Sequence, residues 1–170
     1  VNPAWLKTFV DIESGGNPKA VRTGCKYAGL LQVSPEEAAK YGGTGADLKD
    51  PATNLAIGAT KLKADMEAYK QKYGNDPTPE ELYMIHQQGE GGFDAHKNNP
   101  DAPAWQNMAQ TAEGRRMGQR WAKKAIWDNI PTDQKKQFGS VDNVTSGQFM
   151  QMWGQKVGQN IQKFSAPKPA

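Results

Sequence analysis

The sequence has few residues from which a metal site or a disulfide is built. Among 170 residues, Cys25 is the only cysteine, and His86 and His96 are the only histidines. A single thiol excludes a disulfide within these residues, and two histidines argue against a zinc site formed by protein side chains alone. We therefore expect no metal and no other cofactor. We also expect no catalytic thiol, because the sequence shows no histidine partnered with Cys25.

Long apolar segments and a strong excess of one charge are missing as well. No segment approaches the roughly 18 consecutive apolar residues that a membrane-spanning helix requires. Hydrophobic residues make up 36% and charged residues 23% of the chain, which is typical of a folded globular protein and argues against a disordered one. The net charge of +3 is modest and fits any anionic polymer. We expect no specific nucleic-acid partner.

What the sequence does contain is a series of helix-capping signals. Asn2-Pro3 predicts the start of a first helix, which ends at Gly15-Gly16. Ser34-Pro35-Glu36-Glu37 and Thr78-Pro79-Glu80-Glu81 are capping boxes for two further helices. Asp50-Pro51 starts the longest helix of this half, with a predicted buried stripe and an end near Gly74. The stripe consists of Leu55, Leu62, Met66 and Tyr69.

The second half is predicted to be helical too. The helix after Thr78 is predicted to break at Gly89, and the polar, proline-containing stretch 96–103 is the predicted internal boundary. Helices are predicted over roughly 104–112 and 114–129, after Thr132, and from about Ser146, followed by a frayed tail from 165. The last helix carries an amphipathic stripe formed by Phe149, Trp153, Val157, Ile161 and Phe164. The prediction is an all-α protein with a region 1–98 and a helical extension 99–170.

Glu13 is the first candidate for chemistry. The apolar residues of the first helix form one broad arc: Trp5, Leu6, Phe9, Val10 and Ile12. Glu13 falls inside that arc, whereas Lys7, Thr8 and Asp11 lie off it. Desolvation there would raise the pKa of the Glu13 carboxyl and keep it protonated, as a general acid for glycosidic cleavage requires. The structural alternative is that Glu13 reaches solvent or caps a neighbouring loop.

Three segments combine polar residues and glycines at fixed positions. They are E-S-G-G-N-P-K-A at 13–20, G-L-L-Q at 29–32 and I-H-Q-Q-G-E-G at 85–91. In order and spacing they resemble the E-S-x-x-N-P-x-A, G-L-M-Q and A-Y-N-A-G-x-G motifs of lytic transglycosylases. The H-Q-Q-G form of the third motif resembles phage-encoded members of that family.

The resemblance implies a lysozyme-like α-helical fold with a groove for a glycan strand. It makes Glu13 the single catalytic acid/base and places Gln32 near the cleaved bond. The segment 87–89 would face Glu13 and hold the N-acetyl group of a sugar, and Ser14 would support the turn after Glu13. The residues assigned to substrate by the resemblance are Ser14, Tyr27, Gln32, His86, Gln87, Gln88 and Gly89.

The sequence departs from the family pattern at substrate-contacting positions. His86 stands where the family has tyrosine, and Gln87 stands where it has asparagine. The loop before Gly29 is one residue longer and carries larger residues at 25–27. A histidine on a helix face such as His86 is expected to be a hydrogen-bonded groove or core residue and not a proton carrier. His96 is predicted to lie in a polar loop without a special role.

The implied function is cleavage of the MurNAc–GlcNAc bond of peptidoglycan to form 1,6-anhydro-MurNAc ends. A hydrolytic lysozyme is the alternative, and it would need a second carboxylate. Glu90 and Asp94 beside the third motif are open candidates, whereas Glu36 and Glu37 are better explained as first-turn charges of a helix. A virion structural or wall-binding module that has lost turnover is the alternative from another class.

The resemblance to phage-encoded members also suggests a setting. We expect a wall-penetration component or antibacterial lysin that resides in the virion, or in the host cytoplasm after synthesis, and acts on cell-wall peptidoglycan. Its partners would be glycan strands and other virion proteins. A basic cluster with Met117 and Trp121 opposite it predicts one amphipathic helix over 115–124 that contacts an anionic polymer or membrane weakly, or is simply a solvated face. The cluster comprises Arg115, Arg116, Arg120, Lys123 and Lys124.

Overall fold

The structure is a computed structural model that describes residues 1–21 and 26–165. Within these ranges it consists of α-helices, a short 3-10 helix at Val141–Asn143 and loops, with isolated β-bridges and no extended strand. None of the described helices is both long and apolar enough to cross a membrane. The helices are α1 (Pro3–Ser14), α2 (Pro35–Lys40), α3 (Pro51–Tyr73), α4 (Pro79–Asn98), α5 (Ala104–Gln110), α6 (Ala112–Met117), α7 (Gln119–Trp127), α8 (Thr132–Phe138) and α9 (Ser146–Ser165).

The helix ends follow the predicted caps. The Asn2 side chain accepts a hydrogen bond from the Ala4 amide at 2.8 Å, and α1 ends at Gly15 in the left-handed conformation. In the first capping box, the Ser34 hydroxyl and the Glu37 carboxylate each bond the backbone amide of the other residue. These bonds satisfy amides that helix geometry leaves without partners, which is why short-range sequence signals were sufficient to predict them.

The predicted helix over 114–129 is wrong in one respect. Gly118 adopts φ 94° and ψ 172°, a conformation that is essentially restricted to glycine, and it separates α6 from α7. Helical periodicity continues on both sides of Gly118, so the pattern alone did not reveal the break. The basic cluster therefore lies on two short helices and not on one amphipathic helix.

Helix α4 contains the predicted break and one wrong assignment. Gly89 interrupts it with φ 79° and ψ 163°, as predicted. His96, however, belongs to the last turns of α4 and is completely buried, so its assignment to a polar loop was wrong. The neighbouring residues are polar, but the His96 ring packs 5.6 Å from the ring of Phe149, which the local sequence does not indicate.

The chain forms two compact units. One consists of Val1–Leu82 together with the chain from Val157 onward, and the other of Tyr83–Lys156, so that α4 and α9 contribute residues to both. The predicted boundary after residue 98 falls inside the second unit. The assignment of 1–98 to a catalytic region concerns function and stays a prediction. Residues 22–25, including Cys25, and the predicted tail beyond 165 lie outside the described residues.

The predicted stripe of α3 is partly correct. Leu62 and Tyr69 are buried, whereas Leu55 and Met66 are half-buried. Helix α3 also buries residues that the stripe did not include, among them Gly58, where a Cβ atom would overlap the side chain of Leu31. Close approach of the 29–32 segment thus selects glycine on this face of α3. In α9, Phe149, Trp153 and Val157 are buried as predicted, while Ile161 and Phe164 are half-buried.

Candidate active site

Glu13 lies in the last turn of α1 and is half-buried. Immediately after it, the Ser14 hydroxyl donates to the Val10 carbonyl at 2.9 Å and accepts from the Gly16 amide at 3.2 Å. The Gly15 amide closes the helix on the Asp11 carbonyl at 2.9 Å. Ser14 therefore has the contacts expected of a residue that supports the turn after Glu13.

The buried face of α1 differs from the predicted arc. Thr8, which was predicted to lie off the arc, is completely buried next to Phe9, and its hydroxyl donates to the Ala4 carbonyl at 2.8 Å. The side-chain hydrogen bond removes the cost of burying the polar group, which is why the apolar pattern missed it. The buried face is thus shifted toward Thr8, and Glu13 lies near its margin, half-buried and not enclosed.

The first and second motifs are joined at Ala20. The Ala20 carbonyl, at the end of the first motif, accepts from the Gly29 amide and from the Gln32 side-chain nitrogen, both at 2.9 Å. The same Gln32 nitrogen donates to the Gly29 carbonyl at 2.9 Å. Reciprocal backbone hydrogen bonds of 3.0 Å between Ala28 and Val33 close the second motif into a tight turn. The structure therefore brings together motif segments that the sequence only placed in order.

Gln32 combines an unusual backbone conformation with an unused acceptor. Its φ of 49° is the only positive φ of a non-glycine residue among the described positions. Two carbonyl acceptors fix the orientation of its amide, and its Oε1 atom is buried without a hydrogen-bond partner in the part of the chain that the structure describes. Strain and unsatisfied buried polar atoms concentrate at ligand-contacting positions, so Gln32 remains a candidate substrate residue.

Asn54 on α3 was missed by the sequence analysis. Its side-chain oxygen accepts from the Leu31 amide at 2.9 Å, and its nitrogen donates to the carbonyls of Ala28 and Leu48 at 2.8 and 2.9 Å. It is completely buried, and a Cβ atom at Gly29 would overlap it. In the sequence, Asn54 lies at helical spacing from buried positions of α3. A polar side chain at such a position is predicted to form hydrogen bonds with backbone groups.

The remaining candidates near the second motif lie at the surface. Tyr27 is 37% exposed. Its neighbour Lys26 lies 3.3 Å from Glu36, and the backbone amide of Glu36 together with the Lys26 ammonium lowers the pKa of the Glu36 carboxyl. Glu37 bonds the Ser34 amide within the capping box of α2. Both glutamates thus serve the start of α2, as the sequence analysis predicted.

The third motif belongs to the second unit, where its two glutamines are hydrogen-bonded to each other. The Gln88 nitrogen donates to Gln87 Oε1 and to the Ala125 carbonyl, each at 3.1 Å. Gln88 Oε1 lies 3.2 Å from His96 Nε2. Gln88 is buried, His86 and Gln87 are half-buried, and Gly89 is exposed. The side chain of Gln88 is therefore used entirely inside the protein.

The hydrogen bonds continue beyond His96. His96 Nδ1 bonds the hydroxyl of Ser146, and Ser146 Oγ accepts from the Asn107 side-chain nitrogen at 2.7 Å. Asn107 also donates to the Asn99 carbonyl at 2.9 Å. Burial lowers the pKa of His96 from 6.5 to about 4, so the ring is neutral at pH 7. These residues form a continuous chain of polar side chains, buried except for the half-buried Gln87, which we call the His96 network: Gln87, Gln88, His96, Ser146 and Asn107.

Comparison of the sequence with models of protein families identifies the family to which the chain belongs. The model of the transglycosylase SLT domain matches residues 1–86, half of the chain. The chain belongs to the transglycosylase SLT domain family. It therefore has the all-α, lysozyme-like fold of that family and is a peptidoglycan lytic transglycosylase, a lyase that acts on glycosidic bonds of peptidoglycan. Among curated proteins, none matches the chain significantly.

The SLT match includes only part of the predicted site. Glu13, Ser14, Tyr27 and Gln32 lie within it, and it ends at His86. The residues from 87 onward, including the whole His96 network, lie beyond the match. Within the described ranges, no three acidic, histidine or cysteine side chains lie close enough together to hold a metal ion.

The tryptophans of the SLT protein's second unit are packed to different degrees. Trp153 is buried, and its indole nitrogen donates to the Asn129 carbonyl at 3.0 Å. Trp105, Trp121 and Trp127 are half-buried. The Lys123 ammonium lies 4.7 Å from the ring centre of Trp105, within the range of a cation–π contact. Trp153 is thus a core residue, as its place on the amphipathic stripe of the last helix predicts.

The basic cluster of the SLT protein is exposed but partly neutralised. Arg116 lies 3.8 Å from Glu113, and Lys124 lies 3.4 Å from Asp128. Such exposed pairs contribute little to stability and leave much of the positive field available. Met117, predicted on the opposite side, is 46% exposed instead of packed. These contacts favour a solvated face and leave weak contact with an anionic polymer as a prediction.

Proposed function

We propose that this SLT protein cleaves the MurNAc–GlcNAc bond with Glu13 as its single acid/base and leaves 1,6-anhydro-MurNAc ends. The observation that carries the proposal is the position of Glu13. It lies within the SLT match, in the last helical turn, half-buried, before a turn held by the Ser14 hydroxyl. A carboxyl group in such a place is partly desolvated yet within reach of a substrate, as a general acid must be.

The reaction needs one carboxyl group and no water. Protonated Glu13 donates its proton to the glycosidic oxygen as the C1–O bond breaks, and the substrate's N-acetyl group stabilises the positive charge that develops on C1. The Glu13 carboxylate then removes the proton of the C6 hydroxyl, whose oxygen forms the new bond to C1. Glu13 ends protonated, ready for another cycle.

The other predicted site residues bind and orient the glycan in this proposal. Gln32 acts near the cleaved bond, which is supported by its constrained backbone and by its buried Oε1 atom, which has no hydrogen-bond partner among the described residues. The segment 87–89 holds the N-acetyl group, supported by the half-buried amide of Gln87. Tyr27 and His86 complete the substrate contacts.

The biological setting is part of the proposal. The H-Q-Q-G form of the third motif supports a phage-encoded enzyme for wall penetration or lysis. It would be carried in the virion or made in the host cytoplasm, act on cell-wall peptidoglycan, and assemble with other virion proteins. The exposed arginines of α6 support weak attraction to anionic wall polymer or membrane.

Product analysis tests the reaction. Purified peptidoglycan is incubated with the protein, and the soluble fragments are weighed by mass spectrometry. Anhydro ends, one water lighter than reducing ends, are expected. Reducing ends would contradict the proposal and indicate a lysozyme that uses Glu90 or Asp94 as second carboxylate. If the protein sediments with the cell wall but does not clear the peptidoglycan suspension by solubilising it, the protein is a binding module.

Substitution of Glu13 tests its assignment as the catalytic acid/base. Glu13→Gln should lower the clearing rate by about 10²–10⁴, because it removes general acid–base assistance, while the melting temperature stays nearly unchanged. Asp11→Asn is the matched control, since it neutralises another half-buried carboxylate of α1. Clearing by Glu13→Gln at more than a tenth of the wild-type rate would contradict the assignment.

A further inference from the structure

The His96 network connects the third motif to distant parts of the second unit. Gln87 and Gln88 lie directly after the SLT match, while Asn107 is on α5 and Ser146 begins α9. Gln88, His96, Asn107 and Ser146 are at most 8% exposed, whereas Gln87 is half-buried. A buried polar chain thus ends on the one member that is open enough to meet a ligand.

The hydrogen bonds of the His96 network all run in one direction, and each donor and acceptor can be assigned in turn if the assignment starts at Asn107. The Asn107 nitrogen has two hydrogens and two acceptors, the Asn99 carbonyl and Ser146 Oγ. Ser146 then donates its hydroxyl hydrogen to His96 Nδ1. A neutral imidazole that accepts at Nδ1 carries its hydrogen on Nε2.

The same direction continues through the glutamines. His96 Nε2 donates to Gln88 Oε1, so the Gln88 nitrogen must supply the two hydrogen bonds to Gln87 Oε1 and the Ala125 carbonyl. Because its oxygen is used, Gln87 presents its NH₂ group. One hydrogen of that group reaches the Tyr83 hydroxyl at a long 3.4 Å. The other has no acceptor among the residues that the structure describes.

We propose that Ser146, His96 and Gln88 are positioning residues that fix the side-chain amide of Gln87 with its NH₂ group presented to the substrate as a hydrogen-bond donor. The inference rests on the proposed function, in which the segment 87–89 holds the N-acetyl group, whose carbonyl oxygen is an acceptor. Gln88, which resembles a substrate residue by its position in the motif, acts through Gln87. The second unit thereby orients the part of the third motif, from Gln87 onward, that lies beyond the SLT match.

The first test determines which atoms donate and which accept the hydrogen bonds of the His96 network in the wild-type protein. Nitrogen-15 NMR of the imidazoles at pH 7 should show His96 as neutral, with the hydrogen on Nε2 and an accepting Nδ1. His86→Asn assigns the two histidines. The side-chain amide hydrogens of Gln88 should exchange slowly with solvent because both are bonded inside the protein. A charged His96, or one with its hydrogen on Nδ1, would overturn the proposal.

The second test asks whether Ser146 acts through Gln87. Ser146→Ala removes the donor to His96 Nδ1, which allows the other tautomer and frees both glutamine amides to turn. We expect kcat/KM on purified peptidoglycan to fall about 10–100-fold, the usual effect of a misplaced binding group. Gln87→Leu should cause a similar fall. The double variant should be no worse than Gln87→Leu alone, because both changes remove the same oriented donor.

Controls separate positioning from general damage. Asn129→Ala removes the other side-chain hydrogen bond to the Ala125 carbonyl and leaves the network intact, so its kcat/KM should stay within about twofold of wild type. Fully multiplicative effects of Ser146→Ala and Gln87→Leu would overturn the proposal. If Ser146→Ala does not fold, the tautomer of His96 in the wild-type protein still tests the proposal. Failure of the wild-type protein to cleave peptidoglycan would count against the proposed function alone, since the NMR test needs no substrate.

Discussion

The side-chain nitrogen of Gln32 lies 2.9 Å from the carbonyl oxygen of Ala20. The two residues end the second and first motifs of the SLT match, so one amide joins the loop after Glu13 to the loop that carries Gln32. Gln32 also has a left-handed backbone conformation, which residues other than glycine adopt at a cost in free energy. Two variants at this position separate the contribution of the bonds from that cost.

Gln32→Ala and Gln32→Gly should both destabilise the protein. Each loses the hydrogen bonds to the carbonyls of Ala20 and Gly29, with a combined contribution of about 2 kcal/mol to the free energy of unfolding. Glycine avoids the left-handed cost, so Gln32→Gly should be more stable than Gln32→Ala by up to about 1 kcal/mol. Urea unfolding measures both. An alanine variant as stable as the glycine variant would contradict the strained backbone.

Asn54→Ala should destabilise the protein by about 3 kcal/mol or more. The substitution leaves the Leu31 amide and the carbonyls of Ala28 and Leu48 without their partner, and each unpaired buried group costs about 1–3 kcal/mol. Peptidoglycan clearing should fall too, because Asn54 holds the second motif. Asn75→Ala, at an exposed asparagine, should change stability by less than about 0.5 kcal/mol in the same unfolding assay. Equal losses of unfolding free energy in Asn54→Ala and Asn75→Ala would contradict this role of Asn54.

Stability should fall as the pH drops from about 6.5 to about 4. Burial lowers the folded-state pKa of His96 to about 4, whereas the unfolded chain takes up a proton near pH 6.5. In this window the unfolded state binds more protons, so acid favours unfolding, by roughly 3 kcal/mol in total. Urea unfolding across this range measures the loss. In His96→Gln the loss should shrink by most of that amount, and an unchanged pH dependence would refute a buried neutral His96.

Gly118→Ala and Gly154→Ala should change stability in opposite directions. No atom of the described residues would crowd a Cβ atom at either position, but Gly118 has φ 94° and ψ 172°, whereas Gly154 lies within α9. Alanine at Gly118 should cost on the order of 1–3 kcal/mol, and at Gly154 it should stabilise by about 0.5–1 kcal/mol. Thermal unfolding distinguishes the two. Stabilisation by Gly118→Ala would mean that α6 and α7 can join into one helix.

Parts of the site could be predicted because their signals are local. The turn after Glu13 follows from Ser14 and from the glycines at 15 and 16, which act on residues a few positions away. Burial of polar side chains could not be predicted in the same way. Whether His96 is enclosed depends on Phe149 and Ser146, about fifty positions later in the chain, and not on the polar residues beside it.

Local sequence signals predicted most of the helices, the capped ends of α1 and α2 and the order of the three motifs, since a cap or a helical turn involves residues no more than about four positions apart. Tertiary structure decided which polar groups are buried and how they are oriented. Asn54 and Gln88 look like ordinary polar residues in the sequence. Their side-chain amides bond backbone groups 23 and 37 positions away, and only the folded chain brings such partners within hydrogen-bond distance.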